Sequence, residues 1–173
     1  MQLTRFDYDL SNCGIQRALD VLGEKWTLLV LREAIYGVRR FDDFARALSC
    51  GRGVLSDRLK TLVAANVLER RDYAEPGQRP RSEYRLTAKG RDLFPALMAL
   101  SQWNERWDPA PEGPVARVTH RRSGRPVRVI LSADQKNIGL SLSDLEIAAG
   151  PGARRLQREQ GRDNPSKRIE PGA

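Results

Sequence analysis

Residues 41–87 read FDDFARALSCGRGVLSDRLKTLVAANVLERRDYAEPGQRPRSEYRLT. Phe41, Phe44, Ala45 and Leu48 recur at the i, i+3, i+4, i+7 spacing of one helical face. Asp42 and Asp43 stand in the first turn, where the helix dipole favours anions. Ser49–Gly53 is a short turn containing glycine. Leu55, Leu59, Leu62 and Val63 then mark the inward side of a second helix, expected to end near Asn66, which tolerates a left-handed cap. After Asn66 the period changes to two. VLERRDY (67–73) and EYRLT (83–87) alternate and read as strands. AEPGQRPRS between them is rich in turn formers and carries Arg79 and Arg81.

Two more helices are expected upstream. Ser11 and Asn12 are N-cap types, Ile15, Ala18, Leu19 and Leu22 follow at helical spacing, and Gly23 stops the run. Lys25–Ala34 carries Trp26, Leu29 and Val30 on one face, widened by Leu28 and Leu31, which predicts a central helix ended by Gly37. Downstream, Thr87 can cap a last helix from Ala88 to about Trp107, with a kink or a break at Pro95. Pro109, Pro111 and Pro114 mark a linker. Val115–Arg121 and Arg125–Leu131 flank Arg122-Ser123-Gly124 as a hairpin, and Leu140, Leu142, Leu145 and Ile147 add a little more structure. The expected organisation is a domain over residues 11–108, a linker over 109–114, an accessory segment over 115–149 and a disordered Arg-rich tail over 150–173.

The 173 residues suit one domain with an appendage, and 40% apolar residues fill a modest core. No run approaches eighteen apolar residues, and the acid-bearing start MQLTRFDYDLSNC does not read as a secretory signal. No membrane association is expected, and the cytoplasm is the expected compartment. Two cysteines and one histidine cannot build a disulfide scaffold or a metal cage, and they serve most enzyme chemistries poorly. No cofactor is expected. Net charge is +8, and 25 of the 30 basic residues are arginine, the better fork for phosphate and guanine edges. Residues 1–110 hold 18 basic and 15 acidic groups, so the expected core is only mildly basic. Nucleic acid is the favoured partner on charge, although part of the excess is a solvated tail.

Helix, tight turn, helix, strand, basic tip, strand is the order of a winged helix-turn-helix. Such a fold is mainly α with a β-hairpin wing (α+β). Its second helix enters the major groove and its wing lies on the backbone or in the minor groove. With Leu55, Leu59 and Leu62 inward, Gly53, Asp57, Lys60 and Thr61 face outward and Ser56 lies on the flank. Gly53 permits close backbone approach, and Ser56 and Lys60 can donate to phosphates or bases. Asp57 either accepts from a cytosine amine or pairs with a neighbouring arginine. Arg58, at the edge of the buried face, either reaches DNA or locks the fold. Arg52, Arg79 and Arg81 are placed for phosphates. Trp26, Phe41, Phe44, Trp103 and Trp107 read as core or interface packing. In the last helix Leu93, Phe94, Leu97, Met98, Leu100, Trp103 and Trp107 cover more than one face, which calls for a second copy beside the first helix.

The runs CGIQRALDVLGEKWTLLVLREAIYGVRRFDDFARAL, VLSDRLKTLVAANVLERRDY and RSEYRLTAKGRDLFPALMAL closely resemble the HxlR-type family of bacterial winged-helix transcriptional regulators. The likeness covers about residues 12–108 and rests on LGEKWT, RRFDDF, LSDRLKTL and EYRLTAKG taken together. It implies a homodimer, formed through the N- and C-terminal helices, that binds double-stranded DNA and controls promoters. Some relatives sense quinones, aldehydes or hypochlorite through a cysteine where Cys13 stands. Cys13 is therefore either an electrophile sensor or a small half-buried residue near the dimer seam. Cys50 departs from the common family pattern. The C-terminal segment resembles an extension that carries His-x-x-Cys-Gly and Cys-x-x-Cys in other members. Here His120, Ser123, Gly124, Ser132 and Gln135 stand at those places, so the thiols are gone and a metal is not expected.

The expected function is a dimeric repressor at a pseudo-palindromic operator, with an electrophile or small molecule as effector. Ser56, Arg58 and Lys60 would read bases. The rival from another class is a winged-helix protein-interaction module without DNA specificity. An enzyme using Cys13 as nucleophile lacks a nearby base.

Overall fold

The computed structural model describes residues 11–73, 81–132 and 139–154. The helices are α1 (Gly14–Leu22), α2 (Lys25–Ile35), α3 (Phe41–Leu48), α4 (Arg52–Ala64), α5 (Ala88–Arg91) and α6 (Phe94–Trp107). The strands are β1 (Leu68–Tyr73), β2 (Arg81–Leu86), β3 (Ala116–His120) and β4 (Leu145–Ala149), with a 3-10 turn at Leu142–Asp144.

The main core forms where the helical and strand periods point at one another. Val30, Leu31 and Ala34 of α2 meet Phe44 and Leu48 of α3, and Leu55, Leu59 and Leu62 of α4. Val67, Leu68 and Leu86 close it from the hairpin side. Full burial of each such side chain contributes roughly 1.5–3 kcal/mol. Val63, expected inward, is only half-buried at the edge of this cluster. β1 and β2 pair antiparallel from Leu68↔Leu86 to Tyr73↔Arg81. Arg40 bridges Glu83, and the Tyr84 N–H donates to the Arg39 carbonyl at 2.8 Å, so the chain before α3 adds a short third rung to the wing. This is a winged helix-turn-helix.

The turns use residues that the sequence only partly marks. Asn66 takes the left-handed conformation expected of it, with φ 56°. In the α3–α4 turn the left-handed residue is Ser49, φ 50°, whereas Gly51 sits at φ −59° as the N-cap of α4. At α1 the N-cap is Cys13 rather than Ser11 or Asn12, and the Asn12 carboxamide oxygen accepts instead from Arg17 at 3.0 Å. Pro95 lies in the first turn of α6, and the expected interruption falls just before it, at Asp92 and Leu93.

The strand-to-helix junction after the wing is tightly built. The Thr87 hydroxyl donates to the Asn66 carbonyl at 2.7 Å and accepts from the Gly90 N–H at 3.0 Å. A Cβ added at Gly90 would stand 2.1 Å from the Val67 carbonyl oxygen, so only glycine fits.

The accessory segment differs from expectation in its pairing. Arg122–Gly124 does turn the chain, but residues 125–131 meet β3 through one isolated bridge, Thr119↔Pro126. The ladder partner of β3 is β4, from Ala116↔Ala149 to His120↔Leu145. The two backbone bonds that flank this bridge are made, His120 N–H to the Arg125 carbonyl at 2.9 Å and Val127 N–H to the Val118 carbonyl at 3.1 Å. Gln102 of α6 takes the next groups: its amide nitrogen donates to the Val127 carbonyl and its oxygen accepts from the Val129 N–H, both at 3.0 Å. Leu145 then joins Phe94 and Met98 in a second small core flanked by Val118, Val127 and Ile147. The Gly150 N–H donates to the Val115 carbonyl at 2.8 Å and the Gly152 N–H to the Pro114 carbonyl of the linker at 3.1 Å. The first residues of the expected tail are thus held, and residues 155–173 lie outside the described ones.

Gly90→Ala forces a Cβ against a backbone oxygen. It should cost at least the 1–3 kcal/mol typical of overpacking, read as a lower urea midpoint. An unchanged midpoint would contradict the close approach of α5 to Val67.

Candidate nucleic-acid interface

Helix α4 presents two unlike faces. Leu55, Leu59 and Leu62 are at most 1% exposed. Gly53, Asp57 and Lys60 are exposed, Ser56 and Thr61 are half-buried, and no segment among the described residues covers this side. A Cβ at Gly53 or Gly51 would meet nothing within 4 Å, so both glycines leave the helix start open to close approach from outside.

The cations around α4 are positioned rather than loose. Arg52 donates to Asp42 of α3 at 3.0 Å, and its guanidinium lies 4.7 Å from the Phe41 ring centroid. That contact joins the two helices of the motif and holds a cation beside the turn. Lys60 faces Asp57 at 3.7 Å, one helical turn back, so the expected arginine partner of Asp57 is a lysine on its own helix. The Thr61 hydroxyl donates to the Asp57 carbonyl at 2.9 Å. Arg58 is half-buried, with its Nε sequestered and unpartnered.

The wing carries alternating charge. Arg71 pairs with Glu69 at 2.7 Å and Arg85 with Glu83 at 2.7 Å, each within its own strand. Arg70 donates to the Ser82 hydroxyl at 2.8 Å, and that hydroxyl donates across the ladder to Asp72 at 2.6 Å. Ser82, and then Arg70, hold the Asp72 carboxyl below the usual carboxylate range. Arg81, at the tip end of β2, is exposed and forms no ion pair among the described residues. Arg79 lies outside the described residues. Two arginines before α3 were not singled out from sequence. Arg39 donates to the Ala34 carbonyl at 2.7 Å and is structural; burial, then the nearby Arg85, lowers its pKa. Arg40 is exposed, its guanidinium 5.1 Å from the Tyr73 ring centroid, at the foot of the wing beside α3. The RR dipeptide was the available signal, but only the fold separates the inward from the outward arginine.

Cys13 is half-buried at the N-cap of α1, and neither it nor Cys50 is in a disulfide. His120 Nδ1 lies 2.9 Å from the Ser123 hydroxyl, which brings together two positions of the altered extension motif; Gln135 lies outside the described residues. Among the described residues no group of three His, Cys, Asp or Glu side chains could hold a metal. No described helix is long and apolar enough to cross a membrane.

The HxlR-like helix-turn-helix family model matches residues 21–112, which span α2 to α6 and the wing. The chain belongs to this family. An uncharacterized HTH-type transcriptional regulator of Mycobacterium tuberculosis is 47% identical over 111 residues, 64% of this chain and 69% of the relative. YvaP of Bacillus subtilis, also an uncharacterized HTH-type transcriptional regulator, is 37% identical over 97 residues, 55% of this chain and 88% of its own. Among solved structures, PA1607, a candidate transcription factor, aligns with TM-score 0.62 and 34% identity over 80% of this chain and 95% of its own. The redox regulator HypR in its oxidized form aligns with TM-score 0.50 and 31% identity over 57% of this chain and the whole of its own. This HxlR-like chain is therefore a transcriptional regulator with a helix-turn-helix DNA-binding fold, and its relatives are regulators rather than enzymes.

The Ser82–Asp72 contact gives a pH signature. A lowered folded-state pKa means that its stabilisation is present above the ordinary aspartate value, about 3.9, and is lost as pH falls through the lowered one. Ser82→Ala should move the Asp72 titration upward toward that ordinary value in a carboxyl NMR titration. An unmoved midpoint would remove the hydroxyl as the cause.

Proposed function

We propose that this protein is a cytoplasmic homodimeric repressor that occupies a pseudo-palindromic operator and blocks polymerase. The observation that carries the reading is the open outer face of α4 beside a wing whose strand β2 starts at Arg81, exposed and in no ion pair among the described residues. Gly53 admits the groove edge, and Ser56, Arg58 and Lys60 contact bases. Arg52 is held by Asp42 and Phe41 in the place of a phosphate anchor, and Arg79 and Arg81 of the wing add two more.

Dimerisation is supported by two apolar stripes left exposed among the described residues. α1 has no buried residue and exposes Ile15 and Leu19. α6 buries Phe94 and Met98 but exposes Leu100, Trp103 and Trp107, with the last two 63% and 67% exposed. Large aromatic stripes left in water favour association. Trp103→Glu should convert the dimer to monomer at micromolar concentration in sedimentation velocity; a dimer that survives overturns this seam.

Cys13 begins α1, within that seam, so its oxidation or alkylation would alter the spacing of the two α4 helices. The redox regulator HypR among the structural neighbours supports this reading. A groove of about 1100 Å3 between α2, α6 and the accessory segment, floored by Leu29, Ile35, Leu97 and Met98 and also lined by Trp103 and Trp107 of the seam, supports a small-molecule effector.

Selection of bound duplexes from a random pool, with and without a quinone or hypochlorite, tests the whole reading. A palindromic consensus is expected, with loss of binding on oxidation in the native chain and not in Cys13→Ser. Lys60→Ala should weaken that site by about 1–3 kcal/mol. Removal of both Arg79 and Arg81 should reduce the salt slope by nearly 2 units per protomer. A pool that yields no preferred sequence, with stable capture of a defined protein partner, would favour an interaction module instead.

A further inference from the structure

The outer side of α4 carries one apolar group that the wheel of polar contacts does not use. Val54, in the first turn, is 42% exposed. The other large exposed apolar residues described lie on α1, at the end of α2, on α6 or in the accessory segment. Among the described residues α3, β1 and β2 have none. Among the described residues of α3, α4 and the wing strands, Val54 is thus the single exposed large apolar side chain.

A β-branched residue is a poorer helix former than alanine, and Val54 stands outside the buried cluster that seats α4. Valine has neither donor nor acceptor, so it cannot read a hydrogen-bonding edge. The major groove offers one apolar feature among its donors and acceptors, the C5 methyl of thymine. The flanking geometry suits that contact. Gly53 has no side chain to hold the groove away, and a Cβ there would meet open space. The neighbouring polar groups are already engaged: Arg52 by Asp42, Asp57 by Lys60, and the Thr61 hydroxyl by the Asp57 carbonyl. These contacts leave further N–H groups on Arg52 and Lys60 for DNA, whereas Val54 offers only an apolar surface and surrenders only water.

Resting on the reading of α4 as the recognition helix, we propose that Val54 reads the 5-methyl group of a pyrimidine, thymine in unmodified DNA. It is then a specificity-determining residue: it separates thymine from cytosine or uracil at one position of each half-site, without a hydrogen bond.

The test replaces each thymine of the selected operator singly with deoxyuridine, which deletes the methyl and keeps every hydrogen bond. Binding is read by fluorescence anisotropy. In the native chain one thymine per half-site should prove sensitive, weakening about fourfold, the worth of one buried methyl. Replacement in both half-sites should cost about sixteenfold. Val54→Ala should bind the thymine and uracil duplexes alike at that position, near the affinity of the native chain for the uracil duplex. Val54→Thr keeps a γ-methyl and should keep the discrimination. Both substitutions are at an exposed site, and circular dichroism checks that the fold is intact. A native chain indifferent to every uracil, or a Val54→Ala chain that discriminates as the native one does, overturns the assignment while leaving DNA binding standing. A random pool that yields no preferred site overturns the recognition-helix reading and this inference with it.

Discussion

The structure depends on the burial of one narrow stripe. Leu55, Leu59 and Leu62 seat α4 against Val30, Leu31 and Ala34, with Phe44 and Leu48 closing the side. A helix of thirteen residues that sinks only this stripe must leave the rest of its circumference to other uses. The apolar effect therefore does two things at once. It fixes α4 rigidly, and it aims Gly53, Asp57 and Lys60 away from the protein. A base-reading surface needs both, because side chains on a packed helix are held more precisely than side chains on a loop.

Charge completes what burial begins. Few cations on this face are unengaged: Arg52 crosses from α4 to α3, while Arg70, Arg71 and Arg85 are matched by acids on the wing. Surface pairs of this kind contribute little to stability. Their value is in orientation, since a matched arginine presents its remaining N–H groups in a fixed direction. The wing is held in shape by Ser82 between Arg70 and Asp72, and Arg81 is left at its tip end.

Local features were the legible ones. The leucines of α4, the left-handed Asn66, the break before Pro95 and the limits of the wing strands follow from spacing and backbone preference within a few residues. Features set by distant contacts were not. Leu145–Ala149 is the ladder partner of β3, and the run from Arg125 leaves that strand after one bridge, where Gln102, some 25 residues upstream, takes the Val127 carbonyl and the Val129 N–H. The pairing of Arg52 with Asp42 spans ten residues and a turn. Val54 escaped notice because an apolar letter in a helix looks the same whether it points in or out. Leu55 and Val63 both read as inward, and only Leu55 is fully buried.

The junction around Gly90 has mechanical meaning. The Gly90 backbone lies against Val67, Thr87 is bonded to Asn66, and the Lys89 ammonium donates to the Ala65 carbonyl at 2.8 Å. The C-terminal end of α4 and the start of α5 are therefore tied together at three points. Asp92 and Leu93, between α5 and α6, are the interruption on the path from that junction to Trp107. Along the backbone, the path from the exposed end of α6 to α4 therefore runs through one break in the helix and then through a junction closed by backbone contact.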